Sequence, residues 1–282
     1  MSTSAFRIRP RTVRARRVQF EYPEGRLPRH YMNDDLVMSH IVTVLSSVFP
    51  EGEDFFVKTV RHYRDEVTDP ELKTQVAGFI GQEVTHGREH RHFNERLRGL
   101  GYPTRFIDRQ TKYGLALLSR VLPPDVQLAV TAALEHYTAT LAYVLLNKPE
   151  ARDMFTEPEI RRMFLWHALE ESEHKSVAFD VFQTVSGDQR VRRWVMNAVT
   201  VDFLLFVIGL TVVSLALDPE ARRLPRLARS LRRLRTSPFL QRDVVRHLRD
   251  YNRRDFHPDD NDTTALEREW KAKLFDEQAE LG

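Results

Sequence analysis

The chain has 282 residues, no cysteine, and a formal net charge of +3 from 43 Lys and Arg against 40 Asp and Glu. The lack of cysteine excludes disulfides, thiolate metal sites and cysteine nucleophiles, and leaves 11 histidines as the softest metal ligands available. Apolar residues (41%) suffice for a sizeable core, and 11 Gly and 14 Pro, spread so that long stretches carry neither, favour helices over a many-stranded architecture.

Residues 1–30 read as an irregular basic segment, punctuated by Pro10, Pro23, Gly25 and Pro28 and carrying Arg but no acid over its first 17 positions. No apolar run follows Arg7 to Arg17, so a secretory signal is not expected and a cytoplasmic location is, with membrane association as the alternative. A helix is predicted over 34–48, broken by Phe49-Pro50, and a second after Pro50. The next spans 69–101, with Asp69 as N-cap, Pro70 in the first turn and Gly101 just past the end. Pro123-Pro124 opens another, and a further helix covers 157–185 and stops near Gly187. A very apolar helix over 190–217 follows, then two or three short basic ones. Four long helices with apolar faces between 51 and 186 predict an all-α fold, a ferritin-like four-helix bundle over 31–218, with C-terminal helices over 219–282 as a basic extension.

Helical positions three and four apart share a face. His167, Glu171 and His174 therefore project into one narrow sector, with Glu170 at its edge and Glu173 pointing away to solvent. Glu83 and His86 repeat the Glu-x-x-His spacing, and His90 lies one turn further on. Glu135 stands alone on a stripe of small and apolar residues, and Glu53 shares a side with Phe49, Phe56 and Val57. Burying a lone carboxylate is costly unless it is neutralised or coordinated. One Glu from each of two helices and Glu-x-x-His from each of two others is the ligand pattern of ferritin-like dimetal carboxylate bundles. Four carboxylates offset the repulsion of two close cations, and imidazole nitrogen favours iron or manganese over magnesium or calcium. The expected metal ligands are Glu53, Glu83, His86, Glu135, His167, Glu171 and His174, the four glutamates acting directly at the reacting centre. His90 reads as a supporting or core residue, His92 and His136 as surface or packing residues, and Asp180 and Asp202 as surface acids.

The stretches "FPEGEDFF", "FIGQEVTHGREH", "LEHYTA", "WHALEESEHKSVAFDVF" and "YNRRDFHPDD" together resemble a bacterial family labelled "predicted metal-dependent hydrolase" over most of residues 35–260. The ligand pattern also resembles that of the di-iron arylamine N-oxygenases, which share Glu, Glu-x-x-His, Glu and His-x-x-x-Glu-x-x-His. Carried over, that pattern falls on the same seven residues, with His167 as the third histidine. Outside the ligands the second resemblance stops, so no substrate carries over.

Two iron ions are the expected cofactor, with a Mn/Fe pair or zinc as alternatives. An oxidase or oxygenase is expected, acting on O₂ and a small apolar or aromatic substrate inside a lining of Phe56, Phe79, Trp166 and Phe179. A separate electron-donor protein is a natural partner for such chemistry. The alternative is a two-metal hydrolase with a metal-bridging hydroxide as nucleophile. A third reading, metal storage, lacks any sign of a cage-forming oligomer. The 15 uncharged residues of 203–217 span about 22 Å, short of a ~30 Å hydrocarbon core, which favours a buried helix or a homodimer face over a membrane span. The Leu-spaced arginines that follow suit peripheral contact with an anionic membrane. Nucleic acid is not expected, because no recognition motif accompanies the charge.

Overall fold

In the computed structural model, which describes residues 8–22, 25 and 27–276, Asp35 accepts a hydrogen bond from the N–H of Met38 and opens α1 (Leu36–His62). The break expected at Phe49-Pro50 does not occur. Proline lacks the N–H that would bond the carbonyl four residues back, that of Ser46. Asn94 supplies a substitute, its Nδ2 donating to Ser46 O at 2.8 Å, so α1 passes through Pro50.

Asp69 caps α2 (Pro70–Gly99) by accepting from Leu72 N, and Gly101 takes a left-handed φ of 89° just beyond. α3 (Thr104–Val121) is not among the helices expected from the sequence; it buries Thr104, Ile107 and Thr111 and packs Leu115 and Leu118 inward, while Phe106, Tyr113, Leu117 and Val121 face outward. α4 (Pro124–Asn147) and the single turn α5 (Pro149–Arg152) follow. The helix expected over 157–185 is two, α6 (Pro158–His174) and α7 (Val177–Val185). The joint forms where the carbonyls of Ser172 and Glu173 accept from Arg11 Nη1 and Lys175 Nζ donates to Asn261 O and Thr263 Oγ1. Those partners lie far along the chain, so neighbouring residues gave no sign of them.

α8 (Gln189–Ala216) is capped by Asp188, and α9 (Leu224–Leu234), α10 (Arg242–Asp250) and α11 (Thr264–Lys271), with three 3₁₀ turns before and between them and a π-helical turn after α11, complete the described chain, which contains no strand. The bundle is all-helical. α1 packs on α2 and α4, α4 on α6 and α7, and α2 on α6 and α7. One apolar cluster holds Phe55, Phe79 and Leu128, another Phe93, Leu145 and Trp166, and the polar faces of α1, α2, α4 and α6 meet between them. α8 lies outside, against α1 and α4. Contrary to the expected buried helix, it covers only Arg192, Val195, Met196, Val199, Leu210, Thr211 and Ser214.

The basic N-terminal segment has no regular secondary structure over 8–22 and lies against α2; its residues 1–7, 23, 24 and 26, like 277–282 at the other end, fall outside the described residues. Close contact requires glycine: a Cβ on Gly78 would sit 2.1 Å from Val13 O, and one on Gly81 2.8 Å from Ala15 Cβ. Gln75 and Gln82 donate to the carbonyls of Arg9 and Arg14, pinning the segment in place.

Candidate metal centre

The bundle brings all seven predicted residues into one buried cluster: Glu53 from α1, Glu83 and His86 from α2, Glu135 from α4, and His167, Glu171 and His174 from α6. None is more than 5% exposed. They form two adjacent groups able to hold a metal ion, Glu53–His86–His167 and Glu83–Glu171–His174. Glu171 reaches both: its Oε1 is 2.8 Å from His167 Nε2 and 3.6 Å from His86 Nδ1, and its Oε2 is 3.4 Å from His174 Nε2. Glu135 Oε2 and Glu83 Oε1 lie 3.3 and 3.1 Å from the same His174 nitrogen. Gly87 leaves room for Glu53, because a Cβ there would sit 3.2 Å from Glu53 Oε2.

Each histidine is oriented from its far side. His86 Nε2 is 3.1 Å from Glu170 Oε2. His174 Nδ1 is 3.0 Å from Gln82 Oε1, and Gln82 Nε2 donates to Glu173 Oε2, which fixes the amide orientation. The third chain is longer. Asn94 Nδ2 donates to Ser46 O, so its Oδ1 accepts from Ser46 Oγ. Ser46 Oγ then accepts from His90 Nδ1, and His90 Nε2, left with its lone pair, accepts from His167 Nδ1 at 2.6 Å. The inner nitrogens left with lone pairs are therefore His86 Nδ1, His167 Nε2 and His174 Nε2, all facing carboxylates.

Lone pairs and carboxylates at these distances repel unless a cation or proton lies between them. The hydrogen-bond record agrees. Both oxygens of Glu53, Glu83 and Glu135, Oε2 of Glu171, His86 Nδ1 and His174 Nε2 are buried without a hydrogen-bond partner. Buried polar atoms are ordinarily satisfied, so this concentration of exceptions fits a metal-binding donor set. Protons do part of the work in the metal-free protein. Burial, then neighbouring carboxylates, push Glu53 and Glu83 well above the usual range and Glu135 to about 7. Burial also opposes charge on Glu171 and His174, but their mutual attraction outweighs it, leaving Glu171 low and His174 high.

Three surroundings differ from the sequence reading. Glu173, expected in solvent, is 1% exposed and paired with Arg16 and Lys271, because the N-terminal segment and α11 cover that face. Asp180, expected at the surface, is buried against His257 Nε2 at 2.9 Å, supplied by the C-terminal segment. Phe179 packs on Tyr251, Phe256 and His257, while Phe49, Phe79 and Trp166 place their rings against His90 and His167, His174 and His86 respectively. Asp202 is exposed, His92 is exposed and His136 is buried with its Nε2 on His247 O. Arg16, which bridges Glu170 and Glu173, carries no local signal in the sequence; only the fold brings it to the site.

A third group, His30, His40 and Asp218, has metal-like spacing but a different state. Arg226 donates to His30 Nδ1, and His40 Nδ1 is 2.7 Å from Ser214 Oγ. Both His Nε2 atoms and Arg29 Nε then converge on Asp218 Oδ2. One tautomer assignment satisfies every ring nitrogen, so this group is a closed hydrogen-bond hub.

A family model described as "predicted metal-dependent hydrolase" matches residues 14–262, and the chain belongs to that family. Comparison with curated proteins and with solved structures gave no match.

Proposed function

We propose that the cluster holds two metal ions, iron by preference, in a ferritin-like bundle and that the protein is an oxidase or oxygenase of a small apolar or aromatic substrate. The observation that carries this reading is the convergence of three histidine lone pairs and four carboxylates, each imidazole held from its far side, in a site with almost no solvent exposure. When bound, two irons supply electrons for the reduction of O₂, a small apolar molecule that enters a dry site more readily than a hydrated ester or amide does. Glu171 spans the two groups and holds them at one spacing. Glu53, Glu83 and Glu135 supply the negative charge that two cations require. Glu170, Gln82 and His90 keep the outer ring nitrogens protonated and the inner ones free to coordinate. Phe49, Phe79 and Trp166 exclude water around the imidazoles.

The family description favours a second reading, a two-metal hydrolase, in which the same seven residues would hold metals supplying Lewis-acid activation of water and of the scissile bond. The same donor set serves both, so metal identity and O₂ reactivity separate them. Protein purified aerobically and assayed for metal content is expected to carry two irons per chain, and after reduction to consume O₂ with an optical change. Stoichiometric zinc, no O₂ uptake and turnover of an ester or phosphoester would overturn the oxidative reading in favour of hydrolysis.

A further inference from the structure

α8 is the one helix among the described residues long and apolar enough to cross a membrane, yet its inner side packs on α1 and α4. Its outer side carries Trp194, Val201, Leu204, Leu205, Ile208 and Val212, all exposed, with Leu205 at 66% and Trp194 at 67%. Steps of three, four and seven place these residues on one stripe, about 27 Å long from Trp194 to Val212. The stripe begins at exposed Arg190, one turn before Trp194, and beyond the C-terminal end lie exposed Arg222 and Arg223 beside Leu217 and Leu224. α3 and α9 also pack on α1, and α3 and α8 meet over Val44 through Ile107 and Leu210. α3 carries exposed apolar residues of its own, Phe106, Tyr113, Leu117 and Val121. An exposed apolar surface of this extent on a folded protein marks an interaction site.

Charge decides the occupant. Residues 104–121, 189–216 and 219–235 together hold 14 Lys and Arg against three acids, although the whole chain is nearly balanced. The stripe on α8 is flanked by arginine at both ends. A second copy docking on it, parallel or antiparallel, would set arginine against arginine. An anionic lipid surface offers the opposite charge at both ends and an apolar layer between, and a tryptophan at the arginine-flanked end suits the headgroup boundary. Because the inner side of α8 is committed to the bundle, the helix would lie in the plane of the surface, with Asp202 off the stripe and toward water.

We propose that the outer face of α8, with the adjoining arginines, docks the protein on an anionic membrane surface. The test is co-sedimentation of the metal-loaded full chain with vesicles of phosphatidylcholine alone and of phosphatidylcholine with about one-third phosphatidylglycerol. Binding is expected only to the anionic vesicles and should weaken as salt is raised. Leu205→Glu with Ile208→Glu should abolish it, and Arg222→Glu with Arg223→Glu should weaken it roughly tenfold or more, with circular dichroism and metal content unchanged in both. All four positions are exposed, so loss of folding does not confuse the readout. Absence of binding to anionic vesicles overturns the proposal. So does a dimer in light scattering that Leu205→Glu with Ile208→Glu dissociates, which would assign the face to a second copy.

Discussion

Glu170 Oε2 lies 3.1 Å from His86 Nε2, and Arg16 holds the same carboxylate from the opposite side at 2.9 Å. Glu170 therefore bears on the buried donor cluster through the ring of His86, not as one of the atoms facing it. Partners of this kind fix ring orientation and raise ligand basicity, and their loss costs roughly 10–100-fold in metal affinity. Glu170→Gln keeps the shape and removes the charge. Chelator competition should show that loss for Glu170→Gln with the helical content intact. Unchanged affinity would remove Glu170 from the support of the site.

Glu135 offers a test in which stability and function move in opposite directions. Both its oxygens are buried and unpartnered. Without metal that burial is unfavourable, and an apolar side chain of similar size relieves it. Glu135→Met is expected to stabilise the metal-free protein by about 1–3 kcal/mol and to abolish tight binding at its metal. Thermal melts in chelator and in excess metal would read both effects. A variant that melts lower in chelator and still gains the wild-type increment from metal would show that Glu135 is only a packing residue.

Metal loading should depend on pH, with a definite sign. Burial, then Glu171, pushes Glu135 up to about 7 in the metal-free protein, and burial and neighbouring carboxylates push Glu53 and Glu83 above the usual carboxylate range. Coordination needs these groups ionised, so binding must expel their protons. Apparent affinity is then lower below pH 7 and rises through it. Calorimetry in two buffers of different ionisation enthalpy should detect net proton release at pH about 7. An affinity flat from about pH 6 to 8 would contradict the protonated state assigned to the cluster.

The parts of this site that the sequence revealed are those written by periodicity. Glu-x-x-His on α2 and α6, the solitary Glu135 among alanines and threonines, and the Asp69 cap all depend on neighbours within a turn or two. The parts it hid depend on partners far along the chain. Pro50 looked like a helix end because Asn94, which replaces the lost hydrogen bond, lies 44 residues later. Glu173 looked solvated because Arg16 is 157 residues away. α6 looked continuous with α7 because Arg11 and Thr263, which draw the joint open, come from opposite ends of the described chain.

Contact between the N-terminal segment and α2 rests on glycine, which sets up a contrast between two helical glycines. Alanine at Gly114 meets nothing within 4 Å, so Gly114→Ala should be neutral or gain up to about 1 kcal/mol from helix propensity. Valine at Gly78 would collide with Val13 O, a backbone atom that cannot swing aside. Gly78→Val should cost roughly 1–3 kcal/mol, lift the segment and release Arg16 from Glu170 and Glu173. Limited trypsin digestion should then cut faster at Arg14, Arg16 and Arg17 than in wild type. Equal cutting rates would mean that the segment is held by contacts other than this one.

The hub around Asp218 predicts a pH dependence of folding that does not involve the cluster. His40 is fully buried, and burial lowers its pKa from 6.5 to about 4, against the pull of Asp218 and with the push of His30 and Arg29. The unfolded chain therefore binds a proton between pH 6.5 and 4 that the folded chain does not. Stability rises with pH across that window and is lost as pH falls through it, by at most about 3 kcal/mol from this residue. His86, His90 and His136 are displaced the same way by burial, so the wild-type slope contains their contributions too. The comparison that isolates His40 is His40→Asn, whose amide is suited to donate toward Asp218 and accept from Ser214 without titrating. Urea midpoints measured for both proteins at pH about 7 and about 5 should differ by less in the variant. The same drop in both would place the acid sensitivity elsewhere and remove His40 from the hub as its titrating member.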